Sequence, residues 1–264
     1  QKMQLKIATW NINSLRLRQD QVCKVLKQEA PHIICLQEIK SPVEFVPKDP
    51  FESIGYKHIV ARGEKGYNGV AVISRLELKN VWSHNFCSRG DARHVAVVLN
   101  DGITIENFYV PAGGDTPDAA LNEKFAHKLD FLDEMSAYFS KKAPQKTVLV
   151  GDLNVAPGEN DVWSHKQLRN VVSHTELEVK KLMSLKASAG FVDITRKHIE
   201  SGKLFSWWSY RSPNWENSDR GRRLDHVWAS EDIASGSISS FILKEVRGWV
   251  RPSDHVPVFA EFNL

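Results

Sequence analysis

Short apolar segments recur along the whole chain, and they constrain the fold more than any other feature. Nine of them have the length and β-branched content of strands, and several are apolar at nearly every position. Strands of that kind are covered on both faces, as in layered α/β proteins. The segments are LKIATW, HIICLQ, GVAVIS, HVAVVL, ITIENFYV, TVLVG, HVWAS, FILKEV and VPVFAEF. We therefore predict an α/β fold that contains many strands.

Helical patterns and tight turns lie between these segments. Apolar residues share one face in 15–29, in 121–139 and in 174–189, which predicts three long helices. The sequence NDG at 100–102 separates two apolar segments and predicts a hairpin, so the sheets should be mixed. Many strands with few long helices indicate sheet packed on sheet, with the helices outside.

The chain lacks a Gly/Ser-rich linker, a low-complexity tract and a repeat, so we predict one domain over residues 1–264. Met3 is a candidate natural start, with Gln1 and Lys2 added before it. A formal net charge of +3 permits a polyanionic partner without requiring one. A monomer is the expected state.

The three cysteines are few and far apart, and no CxxC pair exists. Cys23, Cys35 and Cys87 therefore indicate neither a disulfide framework nor a structural zinc site. The N-terminus has no apolar signal region, and no run approaches the roughly 20 apolar residues that span a membrane. We expect a cytoplasmic protein in a reducing compartment, without a membrane partner.

Polar side chains stand at the ends of five predicted strands that are far apart in sequence. They are Asn11 and Asn13, Gln37-Glu38, Asp152 and Asn154, Asp225, and Asp254-His255, and Tyr109 lies near the end of a sixth. In layered sheets such termini converge at one rim, where binding sites form. Hard oxygen ligands without a cysteine or multi-histidine cluster suit Mg²⁺ or Mn²⁺. A metal-bound phosphate flanked by a histidine and an aspartate suits phosphodiester hydrolysis.

Each of these residues also has an ordinary structural explanation when it is taken alone. Asp152 and Asn154 are common turn formers, and Glu38 is a typical solvated strand end. Tyr109 is a candidate core aromatic, and Asp225 has arginine neighbours with which it could pair. The joint pattern, rather than any single residue, favours a site.

The spacing of Asp152 and Asn154 has a simple explanation if the chain stays extended. Residues i and i+2 of a strand point to the same side, so both polar groups would face one site. Gly151 would then let the backbone come close to that site.

Six ordered motifs together resemble the exonuclease III type of abasic-site endonuclease, within the endonuclease/exonuclease/phosphatase superfamily. They are WNINSLR, LQEIK, YVPAGG, GDLNVAP, RLDH and SDHVPV, and the resemblance covers essentially the whole chain. It implies a four-layer α/β sandwich with two mixed sheets face to face. It also implies Mg²⁺- or Mn²⁺-dependent cleavage of double-stranded DNA 5′ to an abasic site. Members of the group commonly add 3′→5′ exonuclease, 3′-phosphatase and 3′-diesterase activities, which implies a role in DNA repair.

The resemblance also implies a set of metal ligands. Glu38 would be the main ligand, and Asn11 and Asp254 would bind or orient the metal and its waters. A second scheme places a second ion on Asp152, Asn154 and His255. The sequence does not choose between the two schemes.

The same resemblance assigns roles around the scissile phosphate. Asp152 would position and deprotonate the attacking water, and Asn154 would hydrogen-bond the phosphate or the nucleophile. His255, oriented by Asp225, would contact the phosphate, because a histidine beside a carboxylate is biased towards its protonated form. Tyr109 would hydrogen-bond the phosphate or assist the leaving oxygen.

Two positions depart from some relatives. Asn13 stands where some carry Asp, which would leave the metal shell one charge poorer. Arg222 stands where some place an aromatic wall of the abasic-sugar pocket, while Trp207 and Leu224 match the remaining pocket positions. Arg222 would stack over the sugar or bind a phosphate instead, so the balance of endonuclease and exonuclease activity stays open.

The stretch 207–223 combines tryptophans and a tyrosine with four arginines, and we predict that it contacts DNA. Trp207, Arg211, Arg222 and the adjacent Leu224 are the candidate DNA-binding residues. Trp208 is expected in the core.

Two other functions remain to be weighed. One is a phosphoesterase of the same superfamily that acts on a non-DNA phosphate ester. The other is a non-catalytic DNA-binding protein, which would be expected to have lost metal ligands. Cleavage of an abasic duplex in Mg²⁺, with no cleavage in EDTA, separates these hypotheses.

Overall fold

A computed structural model describes residues 2–264 and contains twelve strands in two six-stranded sheets. The strands are β1 (Gln4–Asn11), β2 (Ile33–Gln37), β3 (His58–Arg62), β4 (Val70–Ser74), β5 (Leu78–Trp82), β6 (His94–Leu99), β7 (Thr104–Tyr109), β8 (Thr147–Asp152), β9 (Phe191–Asp193), β10 (Asp225–Ser230), β11 (Ser237–Ile242) and β12 (Val258–Asn263). The first sheet has the order β11-β12-β1-β2-β4-β3, and the second has the order β5-β6-β7-β8-β10-β9. Both sheets are mixed, as predicted.

The predicted long helices are confirmed with small shifts of their ends. The helices are α1 (Leu15–Glu29), α2 (Asp49–Glu52), α3 (Glu123–Lys142), α4 (His165–Leu168), α5 (Glu176–Ala189), α6 (Ile194–His198), α7 (Trp215–Ser218) and α8 (Glu231–Ala234). Short 3₁₀ turns lie at Val43–Phe45, Phe86–Ser88, Glu159–Asp161 and Lys244–Gly248. The side chain of Asn122 caps α3, and Thr175 forms a capping box with Glu178 at the start of α5.

Side chains alternate between the two faces of each strand, so the core has three parts, one between the sheets and one on the outer face of each sheet. Side chains such as Ile7 and Val150 pack between the two sheets. The alternate residues face outwards, where α1 covers the first sheet and α3 with α5 covers the second. The four-layer α/β sandwich is therefore confirmed, and no helix within residues 2–264 is long and apolar enough to cross a membrane.

The strand predictions failed where the sequence is short or polar. The segments at β3, β5 and β9 were not predicted as strands, because they contain charged residues or only three positions. The predicted strand FILKEV is wrong beyond Ile242, since 244–248 forms a 3₁₀ turn. The hairpin at 100–102 is confirmed, and Gly102 N donates to Leu99 O at 3.0 Å.

Two parallel pairs determine where the polar strand ends meet. β1 pairs with β2 across the crossover helix α1, and β7 pairs with β8 across α3. The registers place Asn11 beside Gln37, and Asp152 lies between Tyr109 and Asp225. Since the two sheets face each other, these ends form one rim.

Candidate active site

A cleft of about 520 Å³ opens at this rim. Ten predicted site residues line it, namely Glu38, Tyr109, Asp152, Asn154, Trp207, Arg211, Arg222, Leu224, Asp254 and His255. Asn11 and Asp225 are fully buried directly behind them. The structure therefore gathers the predicted residues from both sheets into one place.

His255 forms the centre of a buried charged cluster. Its Nδ1 lies 2.8 Å from Asp225 Oδ2, and its Nε2 lies 3.4 Å from Asp152 Oδ2. Burial alone would lower the pKa of His255, but the charges of Asp225 and Asp152 outweigh it and raise the pKa well above its usual value. The two carboxylates therefore favour the protonated form of the imidazole, and Asp225 pairs with His255 rather than with its arginine neighbours.

Asp152 lies on the opposite side of this imidazole and is itself fully buried. Loss of hydration raises its pKa to about 7, while the charge of His255 acts in the opposite direction. Asn11 Nδ2 donates to Asp152 Oδ2 at 2.8 Å and to Glu38 Oε2 at 2.6 Å. Asp152 thus has an affinity for protons that suits a base near neutral pH.

The oxygen atoms around Glu38 fit a hard divalent cation. Asn11 holds the carboxylates of Glu38 and Asp152 together, as a cation between them would. Trp207 Nε1 donates to Asp254 Oδ2 at 3.0 Å, and the buried Asp254 Oδ1 has no hydrogen-bond partner within residues 2–264. These acidic oxygens match the ligands that Mg²⁺ and Mn²⁺ prefer.

Asp152, Asp225 and His255 also lie close enough together to hold an ion, since their donor atoms are within 4.8 Å of one another. A histidine ligates metal only as a neutral imidazole, and the two carboxylates raise the pKa of His255. His255 would therefore join a metal site at this cluster only after losing its proton.

The extended-chain explanation for the Asp152 and Asn154 spacing is wrong. Asn154 has a φ of 53°, and its backbone N donates to Asp152 Oδ1 at 3.0 Å, so the chain turns immediately after the strand. The explanation for Gly151 is also wrong. A Cβ at that position would overlap the carbonyl oxygen of Phe108 on the neighbouring strand, and φ is 146°. Asn154 Nδ2 donates to Val110 O at 2.7 Å, which leaves its Oδ1 to face the cleft.

Tyr109 is the last residue of β7 and is almost entirely buried. Burial, followed by the charges of Glu38 and Asp152, raises its pKa well above the usual value. The guanidinium of Arg93 lies 5.0 Å from the ring centroid. Tyr109 is therefore a neutral phenol with a proton to donate at the edge of the cleft.

Part of the aromatic and basic stretch at 207–223 forms one wall of the cleft. The guanidinium of Arg222 lies 5.1 Å from the centroid of Trp207, and its Nη1 donates to Ser173 Oγ at 2.7 Å. Arg211 is exposed, while Leu224 packs in a small buried cluster beside Trp207.

Two other members of the stretch face inwards. Trp208 is 1% exposed and belongs to the core, as predicted. Arg223 is equally buried in ion pairs with Asp161 and Asp193, so it has no contact to offer to DNA.

Asn13 does not face the carboxylates of the cleft. Its Oδ1 accepts from Lys40 Nζ at 2.7 Å, and its Nδ2 donates to Tyr210 Oη at 3.2 Å. Lys40 Nζ in turn lies 3.9 Å from Glu38 Oε1. Asn13 is therefore connected to Glu38 only through Lys40 in these contacts.

Sequence reasoning missed several supporting residues. Ser206 Oγ donates to Asp225 Oδ2 at 2.7 Å and accepts from the backbone of Asp225 at 3.1 Å. Lys128, buried in α3, contacts the Asn154 turn. The signal in the sequence for Lys128 was a charged residue beside the apolar stripe of a helix, between Phe125 and Leu129. Nothing in the sequence marks Ser206.

The profile of the endonuclease/exonuclease/phosphatase family matches residues 8–255. This match covers nearly the whole chain and includes all the cleft residues named above. The protein belongs to that family.

Three individual proteins are similar to this chain over nearly its whole length. Exodeoxyribonuclease III of Haemophilus influenzae is 29% identical over 273 residues, covering 98% of this chain and 100% of the relative. The structure of an AP endonuclease from Archaeoglobus fulgidus superposes with a TM-score of 0.91 at 33% identity, covering 98% of this chain and 100% of the other. The 3′ phosphatase NExo from Neisseria, solved with a product DNA hairpin, gives a TM-score of 0.91 at 29% identity, again covering 98% and 100%.

Proposed function

We infer that the protein is a divalent-metal-dependent DNA-repair nuclease, which hydrolyses phosphodiester bonds 5′ to abasic sites in duplex DNA. We further propose 3′→5′ exonuclease, 3′-phosphatase and 3′-diesterase activities at the same site. The observation that carries this proposal is the buried His255, whose imidazole lies between the carboxylates of Asp152 and Asp225 at the base of the cleft.

Asp152 supplies the base. Its carboxyl, with a pKa of about 7, accepts a proton from the water that attacks phosphorus. Asn11 orients this carboxylate through its amide, and the Asn154 turn fixes the other oxygen. The water loses its proton to Asp152 as it attacks phosphorus, so free hydroxide does not have to form first in solution.

His255 and Tyr109 act on the phosphate. The protonated imidazole donates to a non-bridging oxygen and offsets the negative charge that develops there. Tyr109 is a neutral phenol, so it donates a hydrogen bond to the phosphate or to the 3′ oxygen as the phosphorus–oxygen bond breaks. The leaving 3′ oxygen takes a proton from solvent and ends as a hydroxyl, and Asp152 returns its proton to solvent. Asn154 Oδ1 accepts from the attacking water.

Glu38, Asn11 and Asp254 would hold the metal. Bound Mg²⁺ or Mn²⁺ would neutralise the phosphate charge that repels an incoming hydroxide. In the alternative scheme a second ion would bind Asp152, Asn154 and His255, and the imidazole would then be neutral.

The wall selects the substrate. Trp207 and Leu224 offer an apolar surface to a sugar that lacks its base, and a narrow pocket of this kind would exclude a normal nucleotide. Arg222 replaces part of that surface with a cation, which suits a terminal 3′ phosphate. Arg211 is placed at the open side for a backbone phosphate.

We also propose that residues 1–264 function as a monomeric domain, since both sheets share one apolar core. The three cysteines are free thiols, in keeping with a cytoplasmic location.

The test uses duplex oligonucleotides that carry one tetrahydrofuran abasic analogue or a 3′ phosphate, in Mg²⁺, in Mn²⁺ and in EDTA. We expect a metal-dependent nick 5′ to the analogue and release of inorganic phosphate from the 3′ end. Hydrolysis of a lipid or inositol phosphate with intact DNA would overturn the proposal. Binding without cleavage in either metal would favour a non-catalytic DNA-binding protein.

A further inference from the structure

A buried ion pair lies behind the cleft without lining it. Lys128 of α3 and Glu178 of α5 have no exposed side-chain surface and form a direct ion pair. Burial lowers the pKa of Lys128, and the charge of Glu178 opposes that effect. Because replacement of such a pair by apolar groups often costs little stability, its presence calls for a reason beyond stability.

The ammonium of Lys128 ties two loops to the pair. Its Nζ donates to Asn154 O at 2.6 Å and to Ala112 O at 3.2 Å. With Glu178 these two carbonyls use all three of its N–H donors. Gly113 packs against the same side chain, since a Cβ there would lie 2.9 Å from Lys128 Cδ.

The carboxylate of Glu178 ties a third loop. It accepts from the backbone N of Ser173 at 3.0 Å, from the backbone N of Thr175 at 3.2 Å and from Thr175 Oγ1 at 2.6 Å. Ser173 Oγ accepts from Arg222, and Val172 O accepts from the same guanidinium at 3.1 Å. One ion pair therefore joins the turn that carries Asn154 to the loop that positions Arg222.

We propose that Lys128 and Glu178 are positioning residues, which set Asn154 relative to Asp152 and Arg222 relative to Trp207. This inference rests on the proposed nuclease function. Neither residue is catalytic, because neither reaches the cleft. Lys128 stabilises the Asn154 turn, whose φ of 53° is unusual for a residue other than glycine.

Kinetics of three variants separate positioning from simple stability. In Lys128→Met, kcat on the abasic duplex should fall about 10- to 100-fold with KM changed less than about threefold, because the chemistry is misaligned. The double variant Lys128→Met/Glu178→Gln removes the buried charge, so its thermal midpoint should recover while kcat stays low. Leu132→Ala is the matched control, since it weakens the same helix from the apolar side. Equal losses of kcat in Lys128→Met and in the control would overturn the proposal, as would recovery of kcat in the double variant.

Hydrogen exchange of the metal-free protein tests the same inference without any activity. Lys128→Met should speed amide exchange in peptides that cover 153–156 and 171–176, whereas Leu132→Ala should speed it mainly within α3. Unchanged exchange in both loops would overturn the positioning role. If exchange responds as expected but the wild-type protein cleaves no DNA, the nuclease function fails and the ion pair still positions the loops.

Discussion

The floor and the wall of the cleft are built in different ways. The floor consists of Asp152, Asp225 and His255, which are all buried, and both carboxylates contact the imidazole of His255. The wall consists of Trp207, Arg211 and Arg222, which lie in a loop region and are half-buried or exposed. Sheet registers fix Asp152 and Asp225 in the floor, and an isolated bridge to Trp207 places His255. Side-chain contacts such as Arg222 to Ser173 fix the wall. For the proposed nuclease, we therefore expect reaction chemistry to depend on the sheets and substrate choice to depend on the loop.

The largest effect is expected in the floor. Asp152→Asn removes the base, and His255→Ala removes the cation at the phosphate, so either should lower kcat about 10²- to 10⁴-fold. The fold should persist, which circular dichroism can check. Turnover close to that of the wild type in either variant would mean that the floor is not where the reaction occurs.

The floor also predicts a pH dependence. Asp152 works only when deprotonated, and burial raises its pKa to about 7, so the rate should rise with pH through an acidic limb. A bound divalent cation stabilises the carboxylate, so the limb should move to lower pH as Mg²⁺ is raised from limiting to saturating concentrations. A limb at the same pH at every Mg²⁺ concentration would count against Asp152 as the group that titrates.

Glu38 lies between the floor of the cleft and solvent, and it should control how tightly the metal binds. Glu38→Ala should raise the Mg²⁺ concentration for half-maximal activity at least about 10- to 100-fold, because even indirect supports of a metal site cost that much. Mn²⁺ binding, measured by electron paramagnetic resonance, gives a readout without DNA. Glu44→Ala, an exposed carboxylate in the following loop, is the control and should behave as the wild type.

The wall should affect substrate choice more than rate. Arg222→Ala enlarges the apolar pocket and removes a cation, so the ratio of abasic cleavage to 3′-phosphate removal should rise about tenfold, or about 1.4 kcal/mol. Arg211 lacks the contact with Trp207 that Arg222 makes. Arg211→Ala should therefore weaken both reactions alike and reduce their salt dependence. Equal changes of the ratio in both variants would contradict a specific role for Arg222.

The smallest effect on turnover is expected at Asp161, which is buried behind the wall and pairs with Arg223. Burial opposes ionisation of Asp161, but the guanidinium groups of Arg223 and Arg196 outweigh it and lower its pKa. Its stabilising contribution is therefore present above the unfolded pKa of about 4 and is lost as pH falls through the folded value. Asp161→Asn should lower the unfolding free energy by about 3 kcal/mol at pH 7 and by less below pH 4. Urea unfolding at both pH values measures this, with the exposed Asp133→Asn as control.

Much of the fold was readable because its strands are buried on both faces. Apolar runs such as 148–150 are long enough to stand out, and NDG at 100–102 marks its hairpin. The segments at β3 and β9 were not readable, because their strand character comes from pairing with a neighbour rather than from their own composition. Ile242 ends a strand for the same reason, since its partner Val258 is the first residue of β12.

By itself, the sequence determined which residues stand at strand ends, because apolar runs stop at Asn11, Glu38 and Asp152 whatever the tertiary structure does. It also determined the oxygen-rich character of the site. Only the tertiary structure decided that Asp152 and Asp225 both lie against His255 and that Arg223 is buried, since each depends on charged groups brought from distant segments. Interactions of that kind leave no local pattern, because they follow from how the two sheets pack together.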